Sequence, residues 1–242
     1  MNKTPSILVN SGFPVDQNGV LAEIDVPNVV ATLNPPKKIV FNGTTLNYIP
    51  STAAALEEFE APNIQTFGVA LSNYSNLNTV KLPSITTITS TIRAGGIFAF
   101  CGRLVNFYAP NLKTLVCAVE NGTGLLRGCA GLNTLTLESL ESIYNGTSGS
   151  GNCQSCSSLT NVTYPKIKTI DGRSDSFEFG SCTFLKTVQF GSEGNAVETI
   201  YTNCFNGCTQ SDLTITVYTA DGNAISGSPW GAANATIVWE EA

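Results

Sequence analysis

The stretch CAGLNTL at residues 129–135 contains the pattern that decides the fold. A cysteine stands three positions before a leucine, and the leucine begins a short run in which apolar and polar residues alternate. The same arrangement recurs in CGRLVNF (101–107), CSSLTNV (156–162) and CTFLKTV (182–188). Self-similarity at a period of about 20–50 residues is typical of stacked repeats, because one such unit cannot bury its apolar face alone.

The repeat extends over most of the chain. Its pattern is L-x-x-h-x-h-P-x-h-x-x-h, where h is apolar, and its leucines are 21 to 28 residues apart: Leu56, Leu77, Leu104, Leu132, Leu159 and Leu185. A weaker copy begins at Leu21 and a divergent one at Leu213. The first half of the pattern alternates with period two, which predicts a short strand with one buried face. The proline that follows in four copies ends that strand, since proline cannot extend a ladder.

These observations predict a mainly β fold, a solenoid of short parallel strands with little regular helix and a cap at each end. Stacking places parallel strands about 4.8 Å apart and aligns the repeat leucines in one interior column. Residues 51–242 are predicted to form the solenoid, with a C-terminal cap from about residue 213. Residues 1–50 are predicted to form an N-terminal β cap or attachment segment, in which Asn42-Gly43 favours a hairpin between two alternating runs.

The recurrent cysteines are interpreted as a column of buried thiols. A buried cysteine acts as a small apolar side chain with a weak S–H donor, which can serve a backbone carbonyl. The segment CQSC at 153–156 resembles half a zinc site, but the chain has no second such pair and no histidine, so neither a metal nor a cofactor is predicted. Disulfides between stacked cysteines are the other alternative, since Cα separations near 5 Å permit them. The column comprises Cys101, Cys129, Cys156, Cys182 and, more loosely, Cys208.

Composition excludes several classes of function. The absence of histidine excludes Ser-His-Asp and Cys-His catalysis, and no phosphate-binding GK[ST] loop is present. Candidate carboxylates for glycoside hydrolysis are Glu57, Glu58 and Glu60, or Glu138 and Glu141; we expect Glu58 and Glu60 to form a solvated outward face and predict no enzyme. A net charge of −6 with scattered basic residues argues against nucleic acid. No apolar run is long enough for a signal peptide or membrane insertion.

Two segments, FAFCGRLVNFYAPNLKTL (98–115) and FNGCTQSDLTITVY (205–218), resemble the BspA-like leucine-rich repeats. The ending SPWGAANATIVWEEA (228–242) is similar to closing segments of that family. The resemblance covers about residues 56–242 and implies a leucine-rich-repeat solenoid. Members are typically surface or secreted proteins of bacteria, and some are implicated in adhesion. The resemblance therefore implies an extracellular or cell-surface location.

The outward positions of the predicted strands form two columns that are candidates for a binding surface, because solenoids bind across such extended faces. The alternatives are that this face is a simple water-facing sheet, or that the returns at 91–100, 119–128, 145–154 and 171–180 carry the binding. The partner is expected to be a protein or a glycan. Candidate binding residues are Glu58, Glu60, Lys81, Asn106, Tyr108, Asn161 and Gln189. At the C-terminus Trp230 and Trp239 are expected to cover the last coil as an apolar lid, the alternative being an aromatic ligand platform.

The function expected from these features is non-enzymatic recognition or adhesion by a leucine-rich-repeat scaffold, on a bacterial surface or in a secreted protein. The alternative is a structural component of a phage particle or another large assembly, located in the virion and attached through residues 1–50. This alternative is motivated by the lack of a visible signal peptide or anchor and by the atypical N-terminal segment.

Overall fold

The computed structural model describes residues 37–49, 55–90, 96–117, 124–145, 151–173 and 176–242, and the backbone of three short strands nearer the N-terminus. The described residues contain no α-helix. In chain order the strands are β1 (Ile7–Leu8), β2 (Pro14–Val15), β3 (Val20–Leu21), β4 (Lys38–Phe41), β5 (Thr45–Leu46), β6 (Glu58–Glu60), β7 (Thr66–Phe67), β8 (Thr79–Lys81), β9 (Thr87–Ser90), β10 (Asn106–Tyr108), β11 (Thr114–Cys117), β12 (Thr134–Thr136), β13 (Ser142–Asn145), β14 (Asn161–Tyr164), β15 (Thr169–Gly172), β16 (Thr187–Phe190), β17 (Thr199–Ile200), β18 (Thr214–Thr219) and β19 (Thr236–Glu241).

From β4 to β17, each coil of the chain contributes one strand to a front layer and one to a rear layer. The front layer consists of two sheets, ordered β1-β2-β3-β4-β6-β8-β10 and β12-β14-β16-β18-β19. The rear layer consists of β5-β7 and of β9, β11, β13, β15 and β17 in continuous order. All strand pairs are parallel except β1–β2 and β2–β3. The predictions of a mainly β chain, short parallel strands and little helix are confirmed.

Alternation along the front strands fills the interior. The second residue of each front strand from β4 to β18 points inward and is buried, as are the repeat leucines two positions before β6, β8, β10, β12, β14 and β16. Phe98 contacts the rings of Phe59, Phe67 and Phe107. Phe179 stacks on Phe205 at 5.2 Å between ring centroids. Burying a large apolar side chain contributes about 1.5–3 kcal/mol, so this shared core is the main source of stability.

Thiols link successive coils along the third side of the stack. The Sγ–H of Cys129 donates to the carbonyl oxygen of Phe98 at 3.1 Å. In the same way the thiol of Cys156 donates to the carbonyl of Leu126, that of Cys182 to the carbonyl of Cys153, and that of Cys208 to the carbonyl of Phe179, each at 3.1 Å. In all four of these bonds, the accepting carbonyl belongs to the residue three positions before the cysteine of the preceding coil. None of the eight cysteines forms a disulfide, and all eight are buried.

The prediction of a hairpin at Asn42-Gly43 is wrong. β4 pairs in parallel with β6, and β5 pairs in parallel with β7, so the two runs belong to different layers. Ile39 and Leu46 are buried in the core that the later coils share. Stacking on the next coil buries both runs, and this outweighs the local turn preference. β3 pairs in parallel with β4, but most of the weak copy that begins at Leu21 lies outside the described residues.

Candidate functional site on the front face

The outward side of the front strands, here called the front face, carries every candidate binding residue. Register pairs Thr79 with Glu58 on one side and with Asn106 on the other, and pairs Asn161 with Thr187. In the second column Lys81 is paired with Glu60 on one side and with Tyr108 on the other, and Thr163 is paired with Gln189. The candidates therefore lie in two columns, but these columns are interrupted between β10 and β12.

The acidic candidates lie in an ion-pair cluster over the first coils. Lys81 Nζ is 2.6 Å from Glu58 Oε1, and Lys38 Nζ is 3.2 Å from the same atom and 3.3 Å from Glu60 Oε2. The hydrogen bond from Lys81 lowers the pKa of Glu58. A general acid for glycoside cleavage needs a raised pKa, so the environment of Glu58 opposes that role. Partly exposed pairs like these contribute about 0–1 kcal/mol each.

The later coils carry neutral amides and hydroxyls that bond mostly to one another. The hydroxyl of Thr187 donates to Asn161 Oδ1, and Asn161 Nδ2 donates to Thr160 Oγ1 at 2.8 Å. Gln189 Nε2 donates to the carbonyl of Gly191 at 3.1 Å. These interactions hold the side chains in place and leave a polar surface with little charge over β14 and β16.

The front layer is split between β10 and β12. These strands follow one another in the stack, yet they do not pair, and most Cα–Cα distances between them exceed 8 Å. Paired strands lie about 4.8 Å apart. The rear layer stays closed at the same level, where β11 pairs with β13, and on the third side the N–H of Phe100 donates to Arg127 O at 2.7 Å. The split is therefore confined to the front face.

The split forms a cleft of about 380 Å³. Tyr108 is 55% exposed and Val105 49%, both at its edge. Below the cleft Phe107 and Leu135 belong to the core. The residues that line it include Val105, Asn106, Tyr108, Thr134, Thr136 and Glu138. It thus combines an aromatic ring, neutral hydrogen-bonding groups and one carboxylate at a single opening.

Tight coil contacts close the cleft at both ends. At the start of the strands, a Cβ on Gly131 would lie 2.9 Å from the carbonyl oxygen of Gly102. Beyond the strands, the N–H of Glu141 donates to Lys113 O at 2.8 Å. A ligand in this cleft must therefore enter from the front and be short along the strand direction.

A second polar group, buried in the core, was not predicted from the sequence. Asn145 Nδ2, Asn152 Nδ2 and the Asn152 N–H each donate to Glu178 Oε2 at 3.0 Å. The Glu178 N–H donates to the hydroxyl of Tyr201, while Glu178 Oε1 has no hydrogen-bond partner. Burial raises the pKa of the Glu178 carboxyl. The sequence signal is a glutamate four positions before Cys182, where the preceding coils have Ile97, Leu125 and Asn152.

The two tryptophans meet at the C-terminal end of the stack. Trp230 is buried, and its ring lies 5.8 Å from that of Trp239 in an edge-on arrangement. Trp230 Nε1–H donates to Ser226 O at 3.1 Å. Because Trp230 has no exposed face, its ring is unsuited to stacking a ligand.

In comparisons with known proteins, no family model matches the chain, and no curated protein shows significant sequence similarity to it. The likeness to BspA-like repeats stays a prediction based on the motifs quoted above. Within the described ranges, no helix is long and apolar enough to cross a membrane.

Proposed function

We propose that the chain is a non-enzymatic recognition module of leucine-rich-repeat type, capped at both ends and displayed outside the cell, which binds a protein or glycan surface through its front face. The observation that carries this proposal is the cleft between β10 and β12 beside the exposed ring of Tyr108. Aromatic residues are over-represented among side chains that dominate binding energy.

The rest of the scaffold supports the same proposal. The core holds the front strands rigidly, so the face is preorganised and binding orders few side chains. Its polar groups over β14 and β16 are mostly amides and hydroxyls, which suit hydrogen bonding to a neutral surface. The Lys38–Glu58–Lys81 cluster is already internally paired, so we expect it to contribute less than Tyr108.

Arrays of glycans and extracellular proteins probed with the full chain test the proposal. We expect Tyr108→Ala to weaken binding to any captured target by about tenfold or more. Phe184→Ala is the matched control, because Phe184 is 61% exposed but lies in the turn before β16 rather than on the front face. Equal binding by the wild type and Tyr108→Ala would remove the front face near β10 from consideration.

A second candidate is a structural component of a phage particle or similar assembly. It is favoured by the N-terminal strands, since β1 and β2 add antiparallel pairing to the front layer and depart from the repeat. A chain that lacks residues 1–36 retains β4 and the described core. If this segment attaches the chain, the truncated form no longer co-sediments with particles from a phage-producing culture. Undiminished co-sedimentation of a folded truncation would show that residues 1–36 are not the attachment element.

A further inference from the structure

The two strands that border the cleft present complementary rows of backbone groups. In a parallel ladder, alternate residues bond to opposite neighbours. The backbone N–H of Asn106 donates to Asn78 O at 3.0 Å, and the carbonyl of Tyr108 accepts from the N–H of Leu82 at 2.8 Å. The backbone groups of Asn106 and Tyr108 therefore face β8. Both backbone groups of Phe107, the N–H of Ala109 and the carbonyl of Val105 must then face the cleft, whereas the Val105 N–H donates to Asn78 O at 3.0 Å.

The same alternation applies to β12. The N–H of Leu137 donates to Thr163 O at 3.1 Å, and the carbonyl of Asn133 accepts from the backbone N–H of Asn161 at 3.3 Å. The backbone bonds of residues 133, 135 and 137 are therefore directed to β14. Thr134 and Thr136 therefore direct their N–H and C=O groups across the cleft toward β10. No backbone hydrogen bond joins these two edges among the described residues.

We propose that the cleft is a docking slot for an extended peptide segment of a partner protein, which enters as an additional strand between β10 and β12 and hydrogen-bonds to both. This inference rests on the proposed recognition function and names its ligand class. Unpaired strand edges are templates for another strand, and here two edges face each other. One inserted strand supplies the alternating N–H and C=O groups that both rows lack.

The shape of the cleft specifies the segment. The contacts at Gly131 and Lys113–Glu141 close its ends, so only about three or four extended residues fit at about 3.3 Å each. A parallel orientation continues the ladder on both sides. The side chain in register with Phe107 and Leu135 faces the core and should be small and apolar, whereas its neighbours face solvent and should be polar.

Charge adds a second requirement. Glu138 lies at the C-terminal end of the cleft and forms no ion pair with any described residue. A parallel peptide brings its own C-terminal end to this carboxylate. A lysine or arginine directly after the extended residues therefore complements the slot.

The test uses the full chain and the peptide acetyl-Thr-Val-Thr-Val-Lys-amide, followed by NMR of the ¹⁵N-labelled protein. We expect saturable binding, with the largest shifts at the amides of Phe107, Ala109, Thr134 and Thr136. The matched control peptide is N-methylated at both valines, which keeps the side chains but removes the N–H groups that meet one edge. We expect it to bind at least about tenfold more weakly.

Other outcomes would overturn the proposal. Equal affinity of the methylated peptide would show that backbone pairing is not used. In another outcome the peptide fails to bind while Tyr108→Ala still weakens binding to a target found on the arrays. This outcome rules out strand insertion but leaves the recognition function intact. A glycan that shifts the same four amides, with no effect of the peptide, identifies the cleft as a sugar site instead. If Tyr108→Ala changes no interaction and the peptide does not bind, both proposals fail.

Discussion

Thr136 and Thr163 offer a matched pair of proline substitutions that tests the split directly. They are register partners in β12 and β14, and both side chains point outward. The carbonyl of Thr163 accepts from Leu137 at 3.1 Å, so by ladder alternation its N–H also points to β12. The N–H of Thr136 points into the cleft instead. Proline removes the N–H in both cases, but only Thr163→Pro breaks a ladder bond.

The expected magnitudes differ clearly. Thr163→Pro loses one net hydrogen bond, about 1 kcal/mol, and leaves a buried carbonyl of β12 without its donor, about 1–3 kcal/mol. The free energy of unfolding should fall by about 2–4 kcal/mol in total. Thr136→Pro loses neither, and its change in unfolding free energy should stay within about 1 kcal/mol. Both preceding residues already have extended backbones, which proline tolerates at the next position.

Urea unfolding followed by tryptophan fluorescence measures the difference, because Trp230 is buried against the last coils and reports loss of the stack. The midpoint of Thr136→Pro should lie close to the wild type, and that of Thr163→Pro clearly below it. Comparable losses in both variants would mean that the Thr136 N–H is bonded in solution, and the cleft would then not exist.

Two further predictions concern the buried polar and thiol groups. Because burial raises the pKa of Glu178, the folded chain holds its proton more tightly than the unfolded chain, so this carboxyl lowers stability as pH rises from about 4.5 through the raised folded value. Glu178→Gln should therefore gain unfolding free energy relative to the wild type between pH 4.5 and 7.5 in urea titrations, and a pH-independent difference would contradict the assignment. Burial also raises the pKa of Cys101 and Cys208 to about 11 and that of Cys156 to about 12. A thiol-specific disulfide reagent at pH 8 should find no fast-reacting cysteine in the native chain and eight after denaturation; a lower total would indicate disulfides, and fast native reaction would contradict burial.

The repeat pattern was sufficient to predict the parallel strands and the inward positions, because side-chain alternation depends only on the sequence of each coil. Leu104, Leu132 and Leu159 share a register that directly indicates stacking, and all three are buried. The hairpin prediction at Asn42-Gly43 was wrong for a clear physical reason. Turn preference is local, whereas the burial of Ile39 and Leu46 depends on a neighbouring coil that the local sequence does not specify.

The split front layer could not be predicted from the sequence. The strands NFY (106–108) and TLT (134–136) have the same alternation as their paired neighbours, and alternation gives the face of a side chain, not the partner of its backbone. The pairing of Glu58 with Lys38 also depends on β4 joining the stack, which the expected hairpin would have prevented. Glu178 could have been found, because it is a charged residue at a repeat position that is otherwise apolar or amide.

Amide hydrogen exchange of the ligand-free chain, followed residue by residue by NMR, tests the open front layer most directly. The N–H groups of Leu82 and Leu137 bond across coils and should exchange slowly. Those of Phe107, Ala109, Thr134 and Thr136 face the cleft, and we predict that they exchange much faster than these two neighbours. Slow exchange of all four, at the rates of Leu82 and Leu137, would show a closed sheet and contradict the account.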